Sequence, residues 1–149
     1  MYHKGSGVQN DDTEAIKWYR KGVEQGEAKA QRRLGFMYQN GLGVIQDYKE
    51  AVRLYHLSAE QSDAPAQNNL GWMFSNGLGV TKDEAEAVNW YRKAADQGNA
   101  DAQNHLGKMF QNGLGVSKNR AEAITWYRKA AEQGNEDAIS QLKEWGEIW

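Results

Sequence analysis

Several sets of residues in this chain have types and spacings that could do chemistry. Carboxylates recur three residues apart as Asp11/Glu14, Asp47/Glu50 and Asp83/Glu86, with Asn119/Glu122 as a fourth version. Paired carboxylates can act as general acid and base. The same spacing is also that of a capping box: the first side chain caps a helix and the glutamate returns a bond to its N–H. Each pair stands just before an apolar helical run, and active sites do not normally recur along a chain, so the capping reading is preferred. Gly41-Leu-Gly-Val and its copies could cradle a phosphate. Such a loop needs a strand before it and a helix start directly after it. Here a helical pattern precedes, the next begins several residues later, and no Lys-Ser/Thr follows, so these segments read as helix stops and turns. His3, His56 and His105 share no metal-ligand spacing. No metal site and no cofactor is expected. No serine or threonine has a base fixed near it in sequence. Trp18, Trp90 and Trp126, each followed by tyrosine, could stack on bases or sugars. They lie on an alanine-rich helical face, and the expectation is core packing.

The elements that must position these residues are set by repetition. Asn-Gly-Leu-Gly-Val begins at Asn40, Asn76 and Asn112, a period of 36 residues, and a degraded copy runs from Lys4 to Val8. A period in this range means one small unit stacked on itself. Each unit holds two helical patterns. In the first, Ala102, Leu106, Met109 and Phe110 form one apolar stripe, matched by Ala30, Leu34, Met37 and Tyr38 and by Ala66, Leu70, Met73 and Phe74. Asp63, Asn99 and Asn135 stand at the expected N-caps, and Pro65 falls in a first turn where its missing N–H costs little. Gly41, Gly77 and Gly113 follow as left-handed stops. The second pattern buries Ala87, Val88, Trp90, Tyr91, Ala94 and Ala95 and closes at Gly98, as other copies close at Gly26 and Gly134. Gly35, Gly71 and Gly107 recur in mid-helix, where glycine costs ~1 kcal/mol against alanine. That recurrence predicts a contact with no room for a methyl group. The expected architecture is all-α: a right-handed α-α superhelix, or solenoid, of 36-residue helix-turn-helix repeats.

The pattern Ala-x-Ala-Gln-x-x-Leu-Gly-x-Met-Phe-x-Asn-Gly-Leu-Gly-Val, followed by Glu-Ala-x-x-Trp-Tyr-Arg-Lys-Ala-Ala-x-Gln-Gly, resembles the Sel1-like repeat family, a relative of the tetratricopeptide repeat. The resemblance covers essentially the whole chain. It implies a mostly non-enzymatic adaptor, bacterial in many cases. One branch of that family carries a disulfide per repeat, and this chain has no cysteine. The β-lactam activities claimed for that branch are therefore not carried over. The expected division is a leading half-repeat over 1–26, hairpins over 27–62, 63–98 and 99–134, and a closing helix over 135–149, with Trp145 covering the last layer.

Composition narrows the partner. Lys+Arg is 18 and Asp+Glu is 20, giving a net charge of -2. No single-sign field is available for nucleic acid. No run approaches the ~18 apolar residues of a membrane span, and no segment reads as a signal peptide. Met1-Tyr2 falls where Met37-Tyr38 falls one period later, a mid-repeat start. A leader directing a periplasmic or secreted location could lie upstream.

With the frame fixed, the informative residues are those that vary. On the first helices they form a stripe at i, i+3, i+4 and i+7: Lys29, Arg32, Arg33 and Phe36; Pro65, Asn68, Asn69 and Trp72; Asp101, Asn104, His105 and Lys108. In solenoids of this type the first helices line the concave surface. The expectation is a non-catalytic scaffold that binds a peptide or protein partner there. Arg32, Arg33, Phe36, Asn68, Asn69, Trp72, Asn104, His105 and Lys108 are the candidate contact residues, with Phe36 and Trp72 as aromatic anchors. The alternatives are a hydrolase of cell-wall or β-lactam substrates, resting on His105 near Lys108, and a structural piece of a longer repeat array.

Overall fold

The computed structural model describes residues 4–147, with side chains described from residue 11 onward; Met1, Tyr2, His3 and Trp149 lie outside the described residues. Among the described residues there are eight helices and no strand: α1 (Lys4–Glu24), α2 (Ala28–Asn40), α3 (Tyr48–Glu60), α4 (Ala64–Asn76), α5 (Glu84–Asp96), α6 (Ala100–Asn112), α7 (Arg120–Glu132) and α8 (Glu136–Glu144). Each helix packs on the next, most extensively within the hairpins α2/α3, α4/α5 and α6/α7. The apolar core is a chain of clusters rather than one ball. Leu34, Leu70, Leu106 and Leu142 occupy the same place in successive layers, at 4, 0, 0 and 0 % exposure. Truncating a leucine so enclosed typically costs about 2–5 kcal/mol.

The helix starts follow their caps. Asp63, Asn99 and Asn135 accept from the backbone N–H of Ala66, Ala102 and Ala138. Asp47, Asp83 and Asn119 do the same for Glu50, Glu86 and Glu122. The reciprocal half of the capping box does not form. The N–H that each glutamate would receive is donated across the hairpin, from Asp47, Asp83 and Asn119 to the carbonyls of Tyr38, Phe74 and Phe110 at 2.9, 3.0 and 2.9 Å. Glu50 turns instead to Arg53. Asp11 and Glu14 are not a cap at all, because both lie inside α1.

The helix stops are equally local. Gly41, Gly77 and Gly113 have φ of 64, 64 and 66°, and each donates its N–H to the methionine carbonyl four residues back. The second glycine of each turn has a further role. A Cβ on Gly79 would overlap the backbone of Tyr48 and Lys49, and one on Gly115 that of Glu84 and Ala85. Each turn is thus seated on the first turn of the second helix in the preceding repeat, a long-range contact rather than a simple hinge. The degraded copy over 4–8 makes no such turn and is part of the continuous α1. Ser6 stands there in place of the leucine that anchors the true turns, Leu42, Leu78 and Leu114.

The mid-helix glycines are close-contact sites. A Cβ on Gly35, Gly71 or Gly107 would lie 2.9, 2.8 or 2.6 Å from the ring of Tyr55, Tyr91 or Tyr127. These tyrosines are at most 2 % exposed. Their burial pushes the phenols well above their usual range. The hydroxyls of Tyr55 and Tyr127 donate to Gln39 and Gln111. A polar ladder accompanies the core. Gln61, Gln97 and Gln133, at the ends of the second helices, donate to the amide oxygens of Gln31, Gln67 and Gln103 at 2.7, 2.7 and 2.9 Å. Gln67 and Gln103 in turn donate to the Ala59 and Ala95 carbonyls of the preceding repeat. Because each buried amide finds partners, the ladder avoids the desolvation penalty of an unpaired polar group.

At the far end, α8 stops at Glu144 rather than near Trp149. Gly146 has a φ of 70°, and Glu147 donates its N–H back to the Leu142 carbonyl, which closes the helix. Trp145 packs edge-on against Tyr127, ring centroids 5.8 Å apart, and Arg120 lies over its face at 4.5 Å. It covers the last layer as expected.

Candidate interaction face

The variable stripe comes to lie along α2, α4 and α6, and its members differ in how free they are. Phe36 is 50 % exposed and Trp72 36 %. They hold the same register position one repeat apart and form successive aromatics on one face. Their own backbone carbonyls accept from Asn40 and Asn76, so the helix ends that carry them are tied down. Lys29, Arg33 and Lys108 are exposed.

The other stripe residues are partly committed to the frame. Arg32 donates through Nε to Asp63 Oδ2 at 2.7 Å, and that carboxylate also caps α4. The ion pair ties α2 to the start of α4. His105 Nδ1 meets Asn68 Oδ1 at 2.9 Å, joining α6 to α4, and its ring lies against Tyr91 with centroids 4.7 Å apart. Burial, then the nearby Lys108, lowers its pKa from 6.5 to about 4. The imidazole is therefore neutral near pH 7, with Nδ1 as the donor when Asn68 presents its oxygen. Lys108 reaches Asp137 of α8 at 3.5 Å. Asn69 is half-buried. Asn104 departs from the expectation of a solvent-facing stripe: it is 3 % exposed, and its Oδ1 meets no protein donor.

Sequence reasoning placed Trp18 in the core with Trp90 and Trp126, and the structure corrects this. Trp90 and Trp126 are 7 and 5 % exposed, while Trp18 is 63 % exposed. Trp90 belongs to the same apolar cluster as Ala51, Tyr55 and Ala59 of the preceding second helix and stands against His56 there, and Trp126 belongs to the cluster that holds Ala87, Val88 and Tyr91 of α5. Among the described residues no second helix precedes α1, so Trp18 has no such surface to cover it. Lys21, Lys93 and Lys129 lie over the three indole rings at 5.0, 4.3 and 4.4 Å. His56 contacts Glu60 at 3.5 Å and stands edge-on to Trp90. Among the described residues no cluster of three or more His, Cys, Asp or Glu side chains could hold a metal ion, and no helix is long and apolar enough to cross a membrane.

Two features escaped sequence reasoning. The glutamine ladder had a signal in its strict recurrence, at Gln31, Gln67 and Gln103 and at Gln61, Gln97 and Gln133. The Arg32–Asp63 pair had none, since it depends on how two hairpins stack.

Comparison with known proteins agrees with the all-helical repeat fold. The model of the Sel1 repeat matches residues 1–27, 28–63, 64–99 and 100–135. Among solved structures, a protective antigen of uropathogenic Escherichia coli strains with an SLR fold is 45 % identical, with a TM-score of 0.85, over 87 % of this chain and 28 % of that one. A Sel1 repeat protein from Oxalobacter formigenes is 36 % identical, with a TM-score of 0.81, over 87 % of this chain and 52 % of that one. Cysteine rich protein B of Helicobacter pylori is 28 % identical, with a TM-score of 0.71, over 93 % of this chain and 99 % of that one. The chain thus spans only 28 and 52 % of the first two proteins. A search of curated proteins found no match.

Proposed function

The chain belongs to the Sel1 repeat family, and from that premise we propose that it is a non-catalytic interaction module holding a peptide or a partner's loop on its first-helix face. Proteins of this family are generally protein-interaction scaffolds and typically not enzymes. The observation that carries the reading is the pair Phe36 and Trp72, 50 and 36 % exposed at one register position of successive repeats. The frame does not need them, because Lys108 fills the same position in the next repeat. Tryptophan, tyrosine and arginine are the residues that most often dominate binding energy, and Trp72 and Arg33 are of these types. Arg33, Asn69 and Lys108 supply polar contacts beside them, while Arg32, Asn68 and His105 act mainly by holding the helices in place. Of the residues on which a hydrolase reading would rest, His105 is engaged with Asn68, and Lys108 reaches only the exposed Asp137.

The test compares the intact chain with Trp72→Ala and Phe36→Ala/Trp72→Ala as bait in the source cell, followed by affinities for the captured partner. Removing an anchor should weaken binding by ~2 kcal/mol, about thirtyfold, with the far-UV spectrum and melting temperature nearly unchanged. Unchanged affinity together with a large loss of stability would show that Trp72 is a packing residue and would end the proposal.

A further inference from the structure

The interaction face carries its charge in a fixed order along the stack. On α2, Lys29 and Arg33 are exposed beside Phe36. The matching positions of α4 carry no charge and present Trp72. Those of α6 hold one charge of each sign. Continued onto α8, the same register positions are Asp137, Gln141 and Glu144, of which Asp137, which Lys108 reaches, and Glu144 are exposed. A chain whose net charge is only -2 does not impose such an order by composition. The basic end has shape as well as charge: Lys29 and Arg33 line a cleft of about 370 Å³ together with the exposed Trp18, with Glu27 as its carboxylate.

Resting on the interaction-module reading, we propose that this face takes an extended peptide segment of ordered charge. Its acidic residues lie over α2, its apolar side chains rest on Phe36 and Trp72, and its basic residues lie over α8. Complementary potentials of this kind fix register and exclude wrong partners more than they add raw affinity. The row of first helices matches the reach of such a segment. Each helix with its side chains is ~10 Å wide, and an extended chain advances ~3.3 Å per residue. About three residues then separate the two aromatic contacts, and about 12 residues span the four helices.

The experiment selects random peptides of about that length on the intact chain and counter-screens them on Phe36→Ala/Trp72→Ala. The expected winners carry acidic residues at one end, apolar residues in the middle and basic residues at the other, and they lose binding on the double variant. A synthetic winner should bind Lys29→Glu/Arg33→Glu about tenfold more weakly, and lysines at its acidic end should restore binding to that variant. Both substituted side chains are exposed, and circular dichroism checks that the variant is folded. Winners that need Phe36 and Trp72 but show no charge order, and are indifferent to the charge reversal, would overturn the ordered-charge proposal while leaving the aromatic face standing. A selection that yields no peptide, or only peptides indifferent to the double variant, would overturn both.

Discussion

Gly71→Ala sets two effects of known sign against each other. Alanine is favoured over glycine inside a helix by ~1 kcal/mol, so at an open position this change would stabilise α4. At Gly71 the new Cβ would lie 2.8 Å from both Cδ1 and Cε1 of Tyr91 and 3.2 Å from the Ala87 carbonyl oxygen. Ordinary van der Waals contact begins near 3.4 Å, so the ring must retreat by about 0.6 Å. It has little room to do so. Tyr91 is 2 % exposed, and the His105 ring backs it at 4.7 Å. Forcing a methyl into such a site typically costs about 1–3 kcal/mol. A shift of the ring also strains the bond of its hydroxyl to Ser75, a further ~1 kcal/mol. The net expectation is a loss of about 1–3 kcal/mol. Urea unfolding followed by far-UV circular dichroism should show a lower midpoint with an unchanged slope, and the melting temperature should fall by about 3–9 °C. Gly71→Ala/Tyr91→Leu should recover the helix-propensity gain relative to Tyr91→Leu alone. A Gly71→Ala protein as stable as the parent would refute the claim that ring contact is what holds glycine there.

The remaining expectations are briefer. Ser62 has a φ of 66° at the place held elsewhere by Gly26, Gly98 and Gly134; a Cβ meets nothing within 4 Å at those glycines, so Ser62→Gly relieves backbone strain alone. It should stabilise the chain by about 0.5–1 kcal/mol in urea unfolding, and a loss of stability would count against this. Asp83→Ala should cost about 0.5–2 kcal/mol by removing the cap on the Glu86 N–H, whereas Glu86→Ala should cost much less because the return bond is absent; equal losses would contradict the half-formed box. His105 has a folded pKa of about 4 against an ordinary 6.5, so the unfolded chain binds more protons between those values. Its contribution is complete above pH 6.5 and is lost as pH falls toward 4, by roughly 2–3 kcal/mol. Comparing the pH–stability profile with that of His105→Gln subtracts the carboxylates, and parallel profiles from pH 7 to 4 would rule the linkage out.

The sequence by itself determined the period, the helix pairs, the caps and the left-handed stops. These depend on side chains and glycines acting on backbone within about four residues, and such interactions repeat wherever the residues repeat. Asp63 and Asn99 at helix starts and Gly41 and Gly77 at helix ends were legible for that reason. So was the crowding at Gly71, although its partner Tyr91 was not. The tertiary structure decided what depends on a neighbouring repeat. Trp18 and Trp90 share a local sequence, yet one is 63 % exposed and the other 7 %, because among the described residues only the second follows another second helix. The capping box failed for the same kind of reason: the Asp83 N–H is bonded to Phe74 across the hairpin, a partner that no local spacing reveals. In the candidate site, the pattern picked out a stripe, but stacking divided it. It left Phe36, Trp72 and Arg33 facing outward and bound Arg32 to Asp63 and His105 to Asn68. Local chemistry shapes each helix, and burial between layers decides which of its side chains remain free to meet a partner.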